Sequence, residues 1–211
     1  MKILVIGASR GIGLETVKAA LSAGHQVRAL ARTASGIPLE DPRLEKLSGD
    51  ALDRSSIEAA IAGVDAVVQV LGLAMGPGYL TGTDLFSKAT RLLVDAMTAN
   101  GPKRLVVVTG FGAGDSRPYL GPLYAIPFMV VLKRVYDDKD VQERIVRGSP
   151  LDWTIMRPGI LKDGPATHRA RVLPDPKDWR PGPVRRADVA AALVDELATR
   201  RNAGRTPEIV E

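Results

Sequence analysis

Short apolar runs alternate along the chain with longer stretches whose apolar positions recur every three to four residues. Lys2–Ile6 is a β-branched run that stops at glycine, and Gly11–Ala23 follows with Ile12, Val17, Ala20 and Leu21 near one helical face. Gly24 stands where a glycine closes a helix. The alternation predicts strands at Gln26–Ala31 and Leu44–Ser48, then a short helix capped by Ser55 or Ser56 and running to Ala62. A strand at Asp65–Leu71 and a helix at Thr83–Ala99 come next, the helix ended by Asn100-Gly101-Pro102. Lys103–Thr109 is almost continuously apolar, as a strand buried on both faces should be. Beyond it the pattern predicts a long helix within Leu123–Arg147, a strand at Asp152–Met156, a helix at Ala187–Thr199 and a last strand at Glu208–Val210.

Strands alternating with helices imply right-handed βαβ crossovers, hence a doubly wound parallel sheet in a three-layer α/β/α Rossmann fold. At 211 residues the chain reads as a single domain, 1–211. Two Gly- and Pro-rich loops, Gly72–Thr83 and Phe111–Pro122, each follow a strand directly. Ligands of open parallel sheets bind beyond the carboxyl ends of strands, so these loops are candidate site walls. A further irregular stretch, about 160–186, holds prolines at 165, 174, 176, 181 and 183 and reads as a small substrate-side lobe of the same domain.

Composition narrows the field. Hydrophobic residues make up 45% and charged residues 25%, which fits a globular protein and excludes general disorder. A net charge of +5 is too weak by itself to imply a nucleic-acid partner, and none is expected. The chain has no cysteine, which excludes disulfides, thiolate metal sites and a cysteine nucleophile. No apolar run reaches the length of a membrane span, and the longest, Leu123 to Leu132, is interrupted by Pro127. The N-terminus enters a strand without a cleavage site, so the expectation is a cytoplasmic protein with no membrane partner, monomeric or homodimeric. His25 and His168 stand apart without a cluster of acids, so no metal is expected.

Chemistry enters at Gly7-Ala-Ser-Arg-Gly11-Ile-Gly13, set between the first strand and the first helix. One glycine makes the turn, another lets backbone approach a diphosphate, and the helix N-terminus offers free N–H groups and partial positive charge. Gly7, Ser9, Arg10, Gly11, Ile12 and Gly13 are therefore candidate dinucleotide contacts, with a ligand-free glycine turn as the alternative. Sites that prefer NAD carry Asp or Glu about twenty residues further on. Here that place holds Arg32, and the next acid is Glu40. A guanidinium there attracts a 2′-phosphate, with Arg10 a second candidate, so NADP(H) is expected over NAD(H).

With these residues in place the chain resembles the short-chain dehydrogenase/reductase superfamily, and within it the atypical NmrA-like and biliverdin-IXβ/flavin-reductase-like NAD(P)H-binding proteins. The glycine loop has the superfamily's GxxxGxG form. Gly49-Asp50, Leu71-Gly72, Trp153-Thr-Ile-Met-Arg-Pro-Gly159 and Val184-Arg-Arg-Ala-Asp-Val-Ala190 match in order, over essentially the whole chain. The resemblance implies that Asp50 and Ala51 contact adenine and that Leu71 and Gly72 line the adenosine ribose. It also implies that Pro158, Gly159 and Ile160 lie along the nicotinamide, and that Lys139 is the active-site lysine, binding the nicotinamide ribose and lowering a neighbouring hydroxyl's pKa.

The departures concern catalysis. The superfamily's tyrosine precedes its lysine by four residues, and that position is Val135; Tyr136, three before Lys139, is rotated by about 100°. The usual serine after the fifth strand is missing, leaving Thr109 as the hydroxyl at the strand end. Biliverdin-reductase-like members carry histidine where this chain has Gly159. Arg185 stands where a serine often caps the last helix, with Asp188 left to favour the helix dipole. Lys139, Thr109 and Tyr136 are the catalytic candidates. Weak provision for proton donation favours hydride transfer to a small conjugated acceptor such as a flavin or quinone over a secondary alcohol. Phe111, Tyr119, Tyr124 and Phe128 fall beside the expected nicotinamide and would form an aromatic wall, with Phe111, Tyr119 and Tyr124 the substrate candidates; core packing or a dimer face is the alternative. Residues 162–186 carry seven basic side chains against three acids, which would steer an anionic acceptor, unless these are simply solvated loop charges. A dinucleotide-binding sensor without turnover and a nucleotide-sugar epimerase or dehydratase are the competing functions.

Overall fold

In strand β1 (Lys2–Ile6), Ile3 and Val5 enter one buried cluster while Leu4 and Ile6 enter another. A strand that is apolar at every position must be covered on both sides, and that requirement organises the molecule. The computed structural model describes residues 1–73, 76, 81–122, 125 and 131–211. β2 (Gln26–Ala31), β3 (Leu44–Ser48), β4 (Ala66–Gln69), β5 (Arg104–Val108), β6 (Asp152–Pro158) and β10 (Glu208–Val210) join β1 in the order β3-β2-β1-β4-β5-β6-β10. All these neighbours pair in parallel, and β8 (Arg171–Leu173) adds an antiparallel edge beside β10. The result is a Rossmann-type α/β fold. The order reverses between β1 and β4, which opens a crevice at that switch point.

Helices α1 (Gly11–Ser22) and α5 (Arg186–Thr199) cover one face through Val17, Ala20, Val189 and Leu193, packed on Ile3, Val5, Val106 and Val108. Helices α2 (Arg54–Ile61), α3 (Leu85–Asn100) and α4 (Lys133–Arg147) cover the other through Ile57, Leu93 and Val146, packed on Leu4, Ile6, Leu105 and Val107. At the end of α1, Gly24 takes φ +84° and its N–H bonds the Leu21 carbonyl, which stops the helix where the sequence says it should stop.

Two sequence expectations change. The cap of α2 is Asp53, whose carboxylate accepts the Ser56 N–H at 2.8 Å; it holds the hydroxyls of Ser55 and Ser56 as well. A carboxylate with several donors about it outcompetes a hydroxyl for the position. The lobe is also less irregular than its prolines suggest. β7 (Ile160–Lys162) and β9 (Pro183–Arg185) pair in parallel, and β8 extends the main sheet. Strands of three residues are too short to leave a periodic signal.

Candidate functional site

The glycine turn is held against β2 and β4. The N–H groups of Gly7 and Ala8 both bond the Leu30 carbonyl, at 3.0 and 3.3 Å. Gly7 has φ +88°, and a Cβ on it would meet the Val70 carbonyl oxygen at 2.5 Å. A Cβ on Gly13 would run into the Gly7 carbonyl, so helix and strand approach as closely as glycine allows. Arg10 occupies the N-cap of α1 in extended conformation, without a capping side-chain bond and without an acid in the first turn. The first turn thus keeps free amides and positive potential, which is what a bound phosphate group requires. On this observation the residues present fit a dinucleotide.

Arg10, Arg32 and Asp50 are exposed along the rim beside this turn. Asp50 follows Gly49, whose N–H bonds the Ala31 carbonyl at 3.1 Å, so the ends of β2 and β3 stay adjacent. Asp50 also accepts the Leu52 N–H at 3.0 Å. Ser9 is half-buried and Ile12 buried; Ala51 is buried, Leu71 half-buried and Gly72 exposed. On the other side of the crevice, Pro158 is buried and Ile160 exposed. Gly159 donates to Ile209 O at 3.0 Å, and a Cβ on it would strike the Gly182 carbonyl. The lobe occupies the space that a side chain at position 159 would need.

Lys139, Tyr136 and Thr109 meet at the carboxyl end of β5. The buried Lys139 ammonium donates to the Thr109 carbonyl at 2.8 Å and lies 4.2 Å from the centre of the Phe86 ring. Burial pushes its pKa down to about 8, while Glu143 and Asp138 pull the other way. The Tyr136 ring lies 5.9 Å from the same ammonium, and a Cβ on Gly110 would be 2.5 Å from the Tyr136 hydroxyl. The three-residue offset from Lys139 is therefore accommodated: Gly110 leaves room for the phenol at the strand end. Val135, in the superfamily's tyrosine position, is buried. The Thr109 hydroxyl points into α4 and donates to Glu143 Oε1 at 2.8 Å.

Behind this group lies a network that the sequence did not reveal. Arg157 donates from Nε to Glu143 Oε1 at 2.9 Å, Nη2 pairs with the second carboxylate oxygen, and Nη1 reaches Asp115 at 2.6 Å. Arg157 and Glu143 are 0% and 2% exposed, so each depends on the other for its charge. Phe111 is buried with Leu120 and Trp179, and Tyr136, Leu132 and Leu173 pack against them. Tyr119 is 41% exposed and meets Trp179 edge-on at 5.4 Å. Trp179, also missed from the sequence, brings the lobe to the loop after β5, with its Nε1 held by the Leu173 carbonyl at 2.9 Å. Tyr124 and Phe128 lie outside the described residues. Glu208 on β10 is buried, accepts the Arg180 N–H at 2.8 Å through Oε2, and has no partner for Oε1; burial raises its pKa to about 7.

Among the described residues, no cluster of three or more His, Asp or Glu is placed to hold a metal, and no helix is long and apolar enough to cross a membrane.

Comparison with known proteins identifies the family and the fold. A family model described as NAD(P)H-binding matches residues 7–200. The anaerobilin reductase ChuY of Escherichia coli O157:H7 is 28% identical and superposes with a TM-score of 0.79, covering 100% of this chain and 97% of its own. A Bacillus subtilis protein named as an uncharacterized sugar epimerase, YhfK, is 27% identical over 100% of this chain and 94% of its own length. A 3-diazoavenalumate denitrifying reductase from a Streptomyces species is 32% identical over 81% of this chain, which spans 59% of that protein.

Proposed function

The chain belongs to the NAD(P)H-binding family, and from that premise we propose that it is an NADP(H)-dependent reductase of a small, planar, conjugated acceptor. The observation that carries this reading is the convergence of Lys139 and Tyr136 at the end of β5, within the fold whose glycine turn fits a dinucleotide. Two relatives named as reductases support it.

A nicotinamide bound here would supply the hydride, and the protein would supply placement and protons. The uncapped first turn of α1 would hold the diphosphate, and Arg32 with Arg10 would provide positive charge for a 2′-phosphate. As the resemblance implies, Asp50 and Ala51 would flank the adenine, Leu71 and Gly72 the adenosine ribose, and Pro158, Gly159 and Ile160 the nicotinamide. Lys139 is anchored by one bond to the Thr109 carbonyl, which leaves two ammonium protons for ribose hydroxyls. The Thr109 hydroxyl is engaged by Glu143, and Tyr136, whose ring lies 5.9 Å from the Lys139 ammonium, would be the group that holds a proton for the acceptor. Of the aromatic candidates, Phe111 is buried in the core with Trp179 and is not a substrate contact, so Tyr119 is the ring that would face a planar molecule, and the basic lobe would favour an anionic one.

Steady oxidation of NADPH with FMN or a quinone tests the proposal. Turnover should be present and should fall about a hundredfold in Lys139→Met. The second reading is a dinucleotide-binding protein without turnover, favoured by buried Val135 in the tyrosine position and by the engaged Thr109 hydroxyl. Tight NADPH binding without oxidation by any such acceptor would select it.

A further inference from the structure

Helices α1 and α5 begin side by side, and α5 brings Arg186 to the glycine turn. A Cβ placed on Gly11 would lie 3.7 Å from Arg186 Nε, so the guanidinium stands beside this exposed turn, about one side-chain atom away from it. Gly11 itself has φ +57°, a conformation that keeps the position free of a side chain. At its other end Arg186 holds Asp163, Nη1 to Oδ1 at 2.7 Å. Asp163 immediately follows β7 and its side chain is 91% exposed, whereas that of Arg186 is 27% exposed.

Arg186 therefore lies beside the turn while it holds Asp163 of the lobe. The neighbouring charges are occupied otherwise. Arg185 donates to the Asp163 carbonyl at 3.2 Å, and the Asp188 carboxylate accepts the Thr167 and His168 N–H groups at 3.0 and 2.8 Å.

We propose that Arg186 is a diphosphate-binding residue that exchanges partners, holding Asp163 in the free protein and turning to the coenzyme's diphosphate in the loaded one. The proposal rests on the glycine turn being the dinucleotide site. A guanidinium is permanently charged and its planar fork matches two phosphate oxygens at once. An ion pair to so exposed a carboxylate is weak, so exchanging it costs little. Arg186 would read the diphosphate, which NADH and NADPH share, whereas Arg32 would read only the phosphate that distinguishes them. Release of the Asp163 side chain would also remove one of the two arginine ties between α5 and the lobe, the Arg185 bond to the Asp163 carbonyl remaining, and so link coenzyme uptake to the lobe's position.

Calorimetric titration of the intact protein with NADPH and with NADH tests this. Arg186→Gln should weaken both nucleotides alike, by about tenfold. Asp163→Asn removes the competitor and should tighten both by about two- to threefold. Arg32→Ala should weaken NADPH alone. Should Arg186→Gln fold poorly, the Asp163→Asn arm still decides, because that side chain is almost fully exposed. Wild-type affinity in Arg186→Gln, with affinity lost in Gly13→Ala, overturns the Arg186 assignment and leaves the glycine turn standing. Failure of the wild type to take up either nucleotide removes both.

Discussion

The two halves of the crevice treat charge in opposite ways. Around the β1–α1 turn, Arg10, Arg32 and Asp50 are exposed and the helix N-terminus lacks a capping side chain. At the ends of β5 and β6 the charges are consumed internally: Arg157 is bound by Glu143 and Asp115, and Glu143 also takes the Thr109 hydroxyl. The first region leaves its charges and its helix N-terminus facing solvent, as the proposed diphosphate site requires. The second keeps its charges satisfied and gathers the Lys139 ammonium and the Tyr136 ring at the end of β5. A dinucleotide's phosphates and an apolar ring system are recognised by groups of just those kinds.

The contrast is tested most severely at Arg157. Arg157→Met strands the Glu143 carboxylate in the interior and should cost about 3–5 kcal/mol of stability in urea denaturation. Nucleotide affinity at the glycine turn should survive wherever the variant remains folded. Equal losses of affinity and stability would mean that the halves are not separable.

Lys139 gives the next largest effect, read against pH. Its pKa is lowered to about 8 by burial, so the ammonium is present below that value and lost as pH rises through it. Turnover of the wild type should fall above about pH 8, by the same order as the hundredfold loss in Lys139→Met, whose own profile should be flat there. An identical alkaline limb in the variant would detach that titration from Lys139.

Glu208 should alter stability instead of binding. Its pKa is raised to about 7 by burial, so between the ordinary carboxylate range and pH 7 the folded state binds more protons than the unfolded state. Stability contributed by Glu208 therefore falls as pH rises through that window. Glu208→Gln keeps an acceptor for the Arg180 N–H and should gain on the order of 2 kcal/mol relative to wild type at pH 8, with little difference at pH 4. Thermal melts at the two pH values would show it. No pH-dependent gap between the proteins would mean that Glu208 is not held neutral by its surroundings.

The smallest effect is expected at the surface. Arg32→Ala should weaken NADPH about tenfold while sparing NADH, because an exposed cation is worth roughly one charge-assisted bond. Equal loss for both nucleotides would deny Arg32 its place at the 2′-phosphate.

Much of the frame is legible in the sequence because both faces of β1 and β5 must be buried, and their unbroken apolar runs say so. The glycine turn is legible for a related reason: backbone contacts at Gly7 and Gly13 exclude any side chain. What escapes notice depends on partners distant in sequence. Arg157 and Glu143 sit on different elements without a shared periodicity, and Trp179 lies among prolines that read as loop. The angular offset of Tyr136 from the expected position is real, yet Gly110 makes room for its hydroxyl, a compensation that spacing along one helix does not reveal. Asp53 displaced the serines as a cap because its carboxylate gathers three donors.

The most direct measurement is a titration of the unmodified protein with NADPH and then NADH, followed by heat of binding. Expected is a saturable isotherm of one nucleotide per chain, tighter for NADPH. A flat trace with both nucleotides at millimolar concentration would contradict the assignment of the β1–α1 turn.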